Sequence, residues 1–192
     1  DAVYPVHLTL HYVAYPKENI IRQWSEISHQ EKKPVQISRY ASSMLYFENS
    51  CYYLNEFGSD WAKEMRMQQA PLNHGRKVLD TRLGTRANLF TQPFFEVGLG
   101  GEVRENEGTV LMGTLGWTGN FRFAFEVDHD NALRIVSGIN PDAGRYTLKS
   151  GEVFRTPDFY FTLSTKGVGE GSRNFQRWAL RHQLYKGGED RL

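Results

Sequence analysis

The sequence has one cysteine, no long apolar run and almost no net charge, and each shortage excludes a class of protein. Cys51 has no second cysteine with which to form an intrachain disulfide. No apolar stretch reaches the roughly 18 residues that a membrane-spanning helix needs. The 23 Lys and Arg residues almost balance the 22 Asp and Glu residues, so the net charge is only +1. This balance predicts neither a nucleic-acid partner nor an anionic membrane surface.

The start of the chain also lacks an initiator methionine and a secretory signal. It begins at Asp1, only a few residues before the first segment in which apolar and polar residues alternate. No basic region there precedes an apolar run. We therefore expect a fragment of a longer polypeptide. We also expect a soluble protein that resides in the cytoplasm rather than outside the cell, although the single cysteine does not itself decide the compartment.

The segment 108–127 carries the clearest pattern that is present. An apolar stretch over residues 109–117 is followed by turn chemistry in Thr118-Gly119-Asn120. Beyond the turn, apolar and mostly polar residues alternate, which is typical of a half-buried strand. The apolar members of that strand are Phe121, Phe123, Phe125 and Val127. Their shared face must meet another apolar surface, so the pattern predicts a second sheet.

Similar segments recur about every 8–12 residues between turns, which predicts a mainly β, antiparallel sandwich. One of them, Val35 to Phe47, is long enough to be a single long or bulged strand. The glycines of the first central strand indicate bulges or places where other atoms approach the backbone closely; they are Gly108, Gly113 and Gly116. At 192 residues we predict one domain, over residues 1–185, and a polar linker over 186–192.

Only the C-terminal part shows helical spacing, and we predict a helix over residues 172–185 with Ser172 as its N-cap. Its apolar stripe comprises Phe175, Trp178, Ala179, His182 and Tyr185, and its basic stripe comprises Arg173, Arg177 and Arg181. Either the chain's own sheet covers the apolar stripe, or part of it is free for a missing partner. Exposure of Trp178 distinguishes the two alternatives.

Three segments resemble ligand sites, but each has a simpler structural interpretation. His7 and His11 are four residues apart on a strand, about 13 Å, which is too far to share one metal ion. Asp128-His129-Asp130-Asn131 has oxygen ligands suited to calcium, yet a hairpin turn needs the same residues. Gly167 to Ser172 resembles a phosphate-binding loop but lacks its lysine, so we interpret it as a flexible entry to the helix. We predict no metal and no cofactor.

Two tryptophans stand beside turns and polar groups, as in a platform for a sugar ring. Trp61 follows Asp60, and Trp117 precedes Asn120 by three residues. An indole face with nearby hydrogen-bonding groups is suited to carbohydrate, although packing is the commoner role of such residues. Glycoside hydrolysis needs two carboxyl groups about 5–9.5 Å apart. The sequence cannot pair the available carboxyl groups, which include Asp60, Asp80, Glu96, Asp128 and Asp142.

Six short motifs, in order along the chain, resemble the N-terminal β-supersandwich domain of glycoside hydrolase family 36 α-galactosidases. They are Leu8-Thr9-Leu10-His11-Tyr12, Gly58-Ser59-Asp60-Trp61-Ala62-Lys63-Glu64, Gln92-Pro93-Phe94-Phe95, Trp117-Thr118-Gly119-Asn120, Gly138-Ile139-Asn140-Pro141 and Ser172-Arg173-Asn174-Phe175. The resemblance covers nearly the whole chain. It implies a two-sheet supersandwich of the galactose mutarotase type, whose first strands would precede Asp1. One departure is Gln92, where the family usually has Asn.

The resemblance implies a non-catalytic role for this chain. The family's catalytic aspartates belong to a (β/α)₈ barrel, for which 192 residues leave no room beside a sandwich. No catalytic residue is therefore assigned. The expected partners are that barrel, in the same polypeptide, a second copy of the chain, and a galactoside or oligosaccharide. Asp60, Trp61, Trp117 and Asn120 are the candidates for a sugar platform or for the entrance of the barrel's site.

Two other functions are compatible with the sequence. A free-standing carbohydrate-binding sandwich would use exposed tryptophans to bind an oligosaccharide. A mutarotase would need a histidine and a carboxylate converging on a sugar, and His11, His74 and His129 are its candidate histidines.

Overall fold

The computed structural model describes residues 4–184, which form antiparallel β-structure and a C-terminal helix. Two short 3-10 helices lie at Gly84–Arg86 and Pro141–Ala143, and the α-helix, α1, is Gly167–His182. The strands are β1 (Val6–Tyr15), β2 (Ile20–His29), β3 (Val35–Ile37), β4 (Ser43–Glu48), β5 (Tyr52–Gly58), β6 (Arg66–Pro71), β7 (Gly75–Asp80), β8 (Thr91–Leu99), β9 (Val110–Gly116), β10 (Phe121–Val127), β11 (Ala132–Ile139), β12 (Tyr146–Leu148), β13 (Val153–Arg155) and β14 (Asp158–Ser164).

The strands form two main sheets and one small pair. The larger sheet has the order β1-β2-β14-β9-β8-β5-β6, with β13 also beside β2. The smaller sheet has the order β4-β11-β10-β7, and β12 pairs with β3 separately. The predicted antiparallel two-sheet fold with one C-terminal helix is confirmed.

The aromatic face of β10 supplies the centre of the core, as the alternation predicted. Phe121, Phe123 and Phe125 are buried, whereas Arg122 lies on the opposite, partly exposed face. The inner face of β10 packs against the larger sheet, where Phe95 contacts both Phe123 and Phe125 edge to face. The core therefore lies between the two sheets.

The prediction of one strand from Val35 to Phe47 is wrong, because two strands of different sheets occupy this segment. β3 pairs with β12, and β4 pairs with β11 of the smaller sheet. The segment that connects β3 to β4 passes close to Gly138. A Cβ added at Gly138 would lie 3.2 Å from both Ala41 Cα and Ser42 N. A side chain at position 138 would push the connecting segment away by a few tenths of an ångström, so this close approach favours glycine.

The helix begins at Gly167 rather than at Ser172, and the flexible entry predicted over Gly167 to Ser172 is instead helical. Lys166 is the N-cap residue and contributes no side-chain cap. Gly167 has a φ of +74°, and an added Cβ would collide with the backbone of residues 104–107. The glycines thus let the first turns lie directly against the β8–β9 connection, a tertiary cause that the local sequence does not reveal.

The helix's own sheet covers Trp178, which is only 7% exposed and packs against Tyr15 and Tyr160. Of the two alternatives for the apolar stripe, the structure therefore supports the self-covered one at this residue. Asn174 is also buried, and its Nδ2 donates to Thr162 Oγ1 at 2.8 Å. Tyr185 and the predicted linker 186–192 lie outside the described residues. In the described part, no helix has the length and apolarity to cross a bilayer.

Candidate functional site

The loop after β5 and the turn after β9, which carry the candidate residues, lie on either side of the beginning of β8. Gly58, at the end of β5, pairs with Thr91, and Phe94 pairs with Thr114, close to the end of β9. The Asp60–Trp61 loop and the Trp117–Asn120 turn therefore emerge at the same end of the sandwich, on either side of β8. Two strand spacings separate them, or about 10 Å at their origins.

The indole of Trp61, in the Asp60–Trp61 loop, is almost fully exposed to solvent. Trp61 is 88% exposed, and its backbone N donates to Asp60 Oδ1 at 2.7 Å. Lys63 N donates to Asp60 O at 3.0 Å, which closes the turn. Ala62 and Met65 both adopt left-handed φ angles, 53° and 55°, which are uncommon for residues other than glycine. The loop thus keeps a strained backbone that holds an apolar side chain in water, and such strain clusters at functional sites.

Trp117 and Asn120 share a cavity of about 700 Å³, named here the aromatic cavity. This volume lies within the range of about 300–1,000 Å³ that is typical of small-molecule sites. Aromatic side chains from distant segments complete it, since Phe154 contacts both Tyr40 and Tyr146. Its lining residues are Tyr40, Gly84, Thr85, Trp117, Thr118, Gly119, Asn120, Ile139, Asn140, Gly144, Arg145, Tyr146 and Phe154. Asp60 and Trp61 are not among them.

Hydrogen bonds of Asn120 fix the shape of this cavity. Its side-chain Oδ1 accepts from Gly84 N at 2.7 Å, and its backbone O accepts from Asn140 N at 3.0 Å. Asn120 therefore links its own turn between β9 and β10 to the β7–β8 and β11–β12 connections. Its side-chain oxygen and its backbone oxygen each already accept a hydrogen bond. Its amide group and the half-exposed indole of Trp117 remain the groups suited to a ligand.

A charge network beneath the same connections holds them in place. Arg122 donates through Nε and Nη2 to Asp80 Oδ2, at 3.1 and 2.7 Å, and through Nη2 to Asp142 Oδ2 at 2.7 Å. Asn140 Nδ2 donates to Thr81 O at 3.0 Å. The Arg122 hydrogen bond lowers the pKa of Asp142 below its ordinary value, and the nearby charges of Arg82 and Arg39 act in the same direction. Asp142 is therefore ionised at neutral pH, and its contacts join the connection after β11 to Arg122 of β10.

The lining of the aromatic cavity contains no Asp, Glu or His. The carboxyl groups that the sequence offered have other roles. Asp80 and Asp142 hold Arg122, and Asp128 Oδ1 accepts from the backbone N atoms of Asp130 and Ala132, which confirms the predicted turn. Glu96 is buried and accepts from Asn55 Nδ2 at 2.9 Å. The lining of the aromatic cavity thus has no pair of carboxyl groups for glycoside hydrolysis.

The three candidate histidines lie apart from this cavity. His11 stacks on Trp24, with ring centroids 4.7 Å apart, and its Nε2 is 3.2 Å from Glu26 Oε2. His129 is exposed beside Asp130 within the turn. His74 lines a cavity of about 240 Å³ together with Glu56, whose Oε1 accepts from Lys77 Nζ at 3.0 Å. Among residues 4–184, no group of three or more His, Cys, Asp or Glu side chains could hold a metal ion.

Sequence reasoning found two residues of the aromatic cavity and missed its other aromatic members. Tyr40, Tyr146 and Phe154 lie in short segments without a strong pattern. Only the pairing of β12 with β3 and of β13 with β2 brings these segments to the cavity. No local signal could have identified them.

Comparison with known proteins assigns this architecture to a family. The profile described as the glycosyl hydrolase family 36 N-terminal domain matches residues 1–149. The chain is 26% identical to α-galactosidase AgaA of Geobacillus stearothermophilus over 186 residues, covering 97% of this chain and 24% of that protein. It is 27% identical to α-galactosidase 2 of Hypocrea jecorina over 175 residues, covering 91% and 23%.

Solved structures agree with the sequence comparison. The crystal structure of AgaB from Geobacillus stearothermophilus, a family 36 α-galactosidase, superposes with a TM-score of 0.91 at 25% identity, covering 100% of this chain and 26% of that one. The α-galactosidase from Lactobacillus brevis gives 0.87 at 25% identity, covering 92% and 23%. The chain spans about a quarter of the length of the relatives that it matches. Its fold, motifs and profile match together show that this chain belongs to the glycosyl hydrolase family 36 N-terminal domain family.

Proposed function

We propose that this chain is the non-catalytic N-terminal domain of an α-galactosidase-like hydrolase of terminal α-galactosides. In this proposal it packs on a catalytic barrel in the same polypeptide and shapes the entrance of the barrel's site. The relatives named as α-galactosidases, of which the chain spans about a quarter, support this role. The absence of a carboxyl group from the lining of the aromatic cavity supports a binding rather than a hydrolytic role.

The exposed Trp61 is the observation that carries the proposal. A side chain that is 88% exposed contributes almost nothing to the core of this domain. The left-handed backbone at Ala62 and Met65 costs about 1–3 kcal/mol per residue, so the loop is held at the expense of stability. An indole presented in this way is suited to stacking on a sugar ring or to packing against a second domain. Asp60 and Trp61 would then lie at the entrance of the barrel's site, with Trp117 and Asn120 behind them.

The first experiment concerns the gene. We expect the coding sequence downstream of Leu192 to encode a (β/α)₈ barrel with a carboxylate pair. We also expect the purified chain to release no nitrophenol from nitrophenyl α-galactoside. Release that a single carboxylate substitution in this chain abolishes would contradict the non-catalytic role.

The second experiment tests the entrance in the polypeptide that includes the barrel. Trp61→Ala should raise KM for an α-galactoside severalfold, because it removes the indole face against which the sugar ring would pack. Tyr46→Ala is the matched control, since Tyr46 is also an exposed aromatic but belongs to β4. Equal kinetic constants for both variants and the unchanged enzyme would exclude a role for Trp61 at the entrance.

A free-standing carbohydrate-binding module is the second candidate, and the aromatic cavity favours it. Titration of the isolated chain with galactose and with an α-galactoside oligosaccharide, followed by tryptophan fluorescence, tests for it. Saturable binding that Trp117→Ala removes and Trp61→Ala leaves intact would assign binding to this cavity. A mutarotation assay on galactose tests the third candidate, for which the aromatic cavity supplies no histidine. Homo-oligomer formation and residence in the cytoplasm stay predictions.

A further inference from the structure

The outer face of the smaller sheet carries a cavity of about 190 Å³ that the proposed function does not use, named here the arginine cavity. Its floor consists of small or apolar residues, and three arginines stand around it. The lining residues are Arg39, Tyr40, Arg76, Arg122, Ala124, Val136, Gly138, Ile139 and Pro141. The arginines come from separate segments, the β3–β4 connection, β7 and β10, so only the fold brings them together.

One of the three arginines is already fixed in place. Arg122 is held by two carboxylates, Asp80 and Asp142, through hydrogen bonds of 2.7–3.1 Å. Arg82 Nη2 also donates to Asp142 Oδ2, at 2.6 Å. These two arginines and two carboxylates balance one another in charge. Arg122 is therefore held in place in the cavity wall, and its positive charge is neutralised.

The other two arginines differ, because neither forms an ion pair with any residue from 4 to 184. Arg39 and Arg76 are both exposed. The residue opposite Arg76 on β10 is Glu126, but its carboxylate is engaged by Arg134, at 2.9 Å from Nη2. Within residues 4–184, neither arginine thus has a carboxylate within ion-pair distance, although the charge of Arg39 acts on Asp142 from farther away.

We propose that the arginine cavity binds a small oxyanion, a phosphate or carboxylate group, between Arg39 and Arg76. Guanidinium groups form paired, charge-assisted hydrogen bonds to such groups. The volume is below the range of about 300–1,000 Å³ that holds drug-sized ligands, so it suits a group of a few atoms. The floor includes the buried Ala124 and the partly buried Val136, so a bound group would contact protein rather than water on that side.

Calorimetric titration of the chain with inorganic phosphate, and separately with acetate, tests the proposal. Sodium chloride at the same ionic strength is the reference, because nonspecific attraction is screened by any salt. We expect saturable binding of at least one of the two oxyanions. The double variant Arg39→Gln/Arg76→Gln should bind it at least about tenfold more weakly, as expected from the loss of charge-assisted hydrogen bonds.

The matched control, Arg104→Gln/Lys149→Gln, removes two exposed positive charges elsewhere and should bind as the unchanged chain does. A single Arg39→Lys variant keeps the charge but loses the paired hydrogen bonds, so it should bind at an intermediate strength. Circular dichroism verifies that each variant is folded. Binding no stronger than chloride produces, or equal binding by the unchanged chain and the double variant, would overturn the proposal.

Discussion

Phe95 of the larger sheet and Phe123 of the smaller sheet meet edge to face, with ring centroids 5.0 Å apart and ring planes inclined by 70°. Both side chains are fully buried. Phe95 makes the same type of contact with Phe125, also at 5.0 Å. Edge-to-face pairs contribute about 0.5–1.5 kcal/mol beyond the burial of their area. This aromatic group therefore lies at the centre of the contact between the two sheets.

Replacement of Phe123 should be among the most damaging core substitutions. We expect Phe123→Ala to lower the free energy of unfolding by about 3–5 kcal/mol, because it empties a buried aromatic site. Urea unfolding followed by fluorescence measures this loss. Tyr46→Ala, at an exposed position of β4, should change it by no more than about 0.5 kcal/mol. A loss below about 1 kcal/mol at Phe123 would mean that the core is arranged differently.

Gly113 of β9 is predicted to resist even the smallest enlargement. An added Cβ would lie 2.6 Å from Phe95 Cζ and 2.7 Å from Phe159 Cζ, and both rings are fully buried. We expect Gly113→Ala to lower the free energy of unfolding by about 1–3 kcal/mol, the range for overpacking. Gly101→Ala is the control, since nothing lies within 4 Å of its added Cβ. Similar stabilities for the two variants would show that the rings move aside easily.

The alternation of β10 was sufficient to predict its buried face, because successive side chains of a strand point to opposite faces of the sheet. The close approach indicated by the glycine pattern also holds at Gly113, where aromatic rings fill the space. The break within Val35 to Phe47 was not predictable, since both halves have extended, partly apolar sequences. Their separation depends on the passage beside Gly138, which is more than 90 residues away in the chain.

The candidate site was predictable only where its residues were adjacent in the sequence. Trp117 and Asn120 stand on one turn, and the structure places both in the aromatic cavity. Asp60 and Trp61 stand on another loop, which pairing brings to the same end of the sandwich but not into that cavity. The start of α1 was missed because local glycine content argues against a helix, whereas packing against residues 104–107 favours one.

Iodide quenching should separate the exposed and buried tryptophans. Trp61 is 88% exposed and Trp178 only 7% exposed, so a charged quencher reaches the first and not the second. We expect Trp61→Phe to remove the largest single part of the quenchable fluorescence and to leave the part that comes from the half-exposed Trp117, whereas Trp178→Phe leaves the quenchable part unchanged. Strong residual quenching in the Trp61→Phe variant, lost on further replacement of Trp178, would show that the helix leaves its sheet in solution.

Glu96 should make stability depend on pH in the direction opposite to that of a carboxylate whose pKa is lowered on folding. Burial is the largest effect and raises the pKa of Glu96 above the ordinary 4.5, and the charge of Glu105 adds to the rise. The hydrogen bond from Asn55 lowers the pKa but does not offset burial. The folded state therefore holds this proton more tightly than the unfolded state does. Its contribution is present below about pH 4.5 and is lost as the pH rises through the folded pKa.

Glu96→Gln isolates this contribution, because the amide is neutral and its oxygen can still accept from Asn55 Nδ2. We expect the variant to gain stability relative to the unchanged chain as the pH rises from about 4.5 to 8, since only the unchanged chain must bury a charge. Thermal unfolding of both proteins over this range measures the difference in Tm. Carboxyl groups with lowered pKa values, such as Glu18 and Glu170, are present in both proteins and cancel in the comparison. A difference in Tm that is constant with pH would show that Glu96 does not titrate in this window.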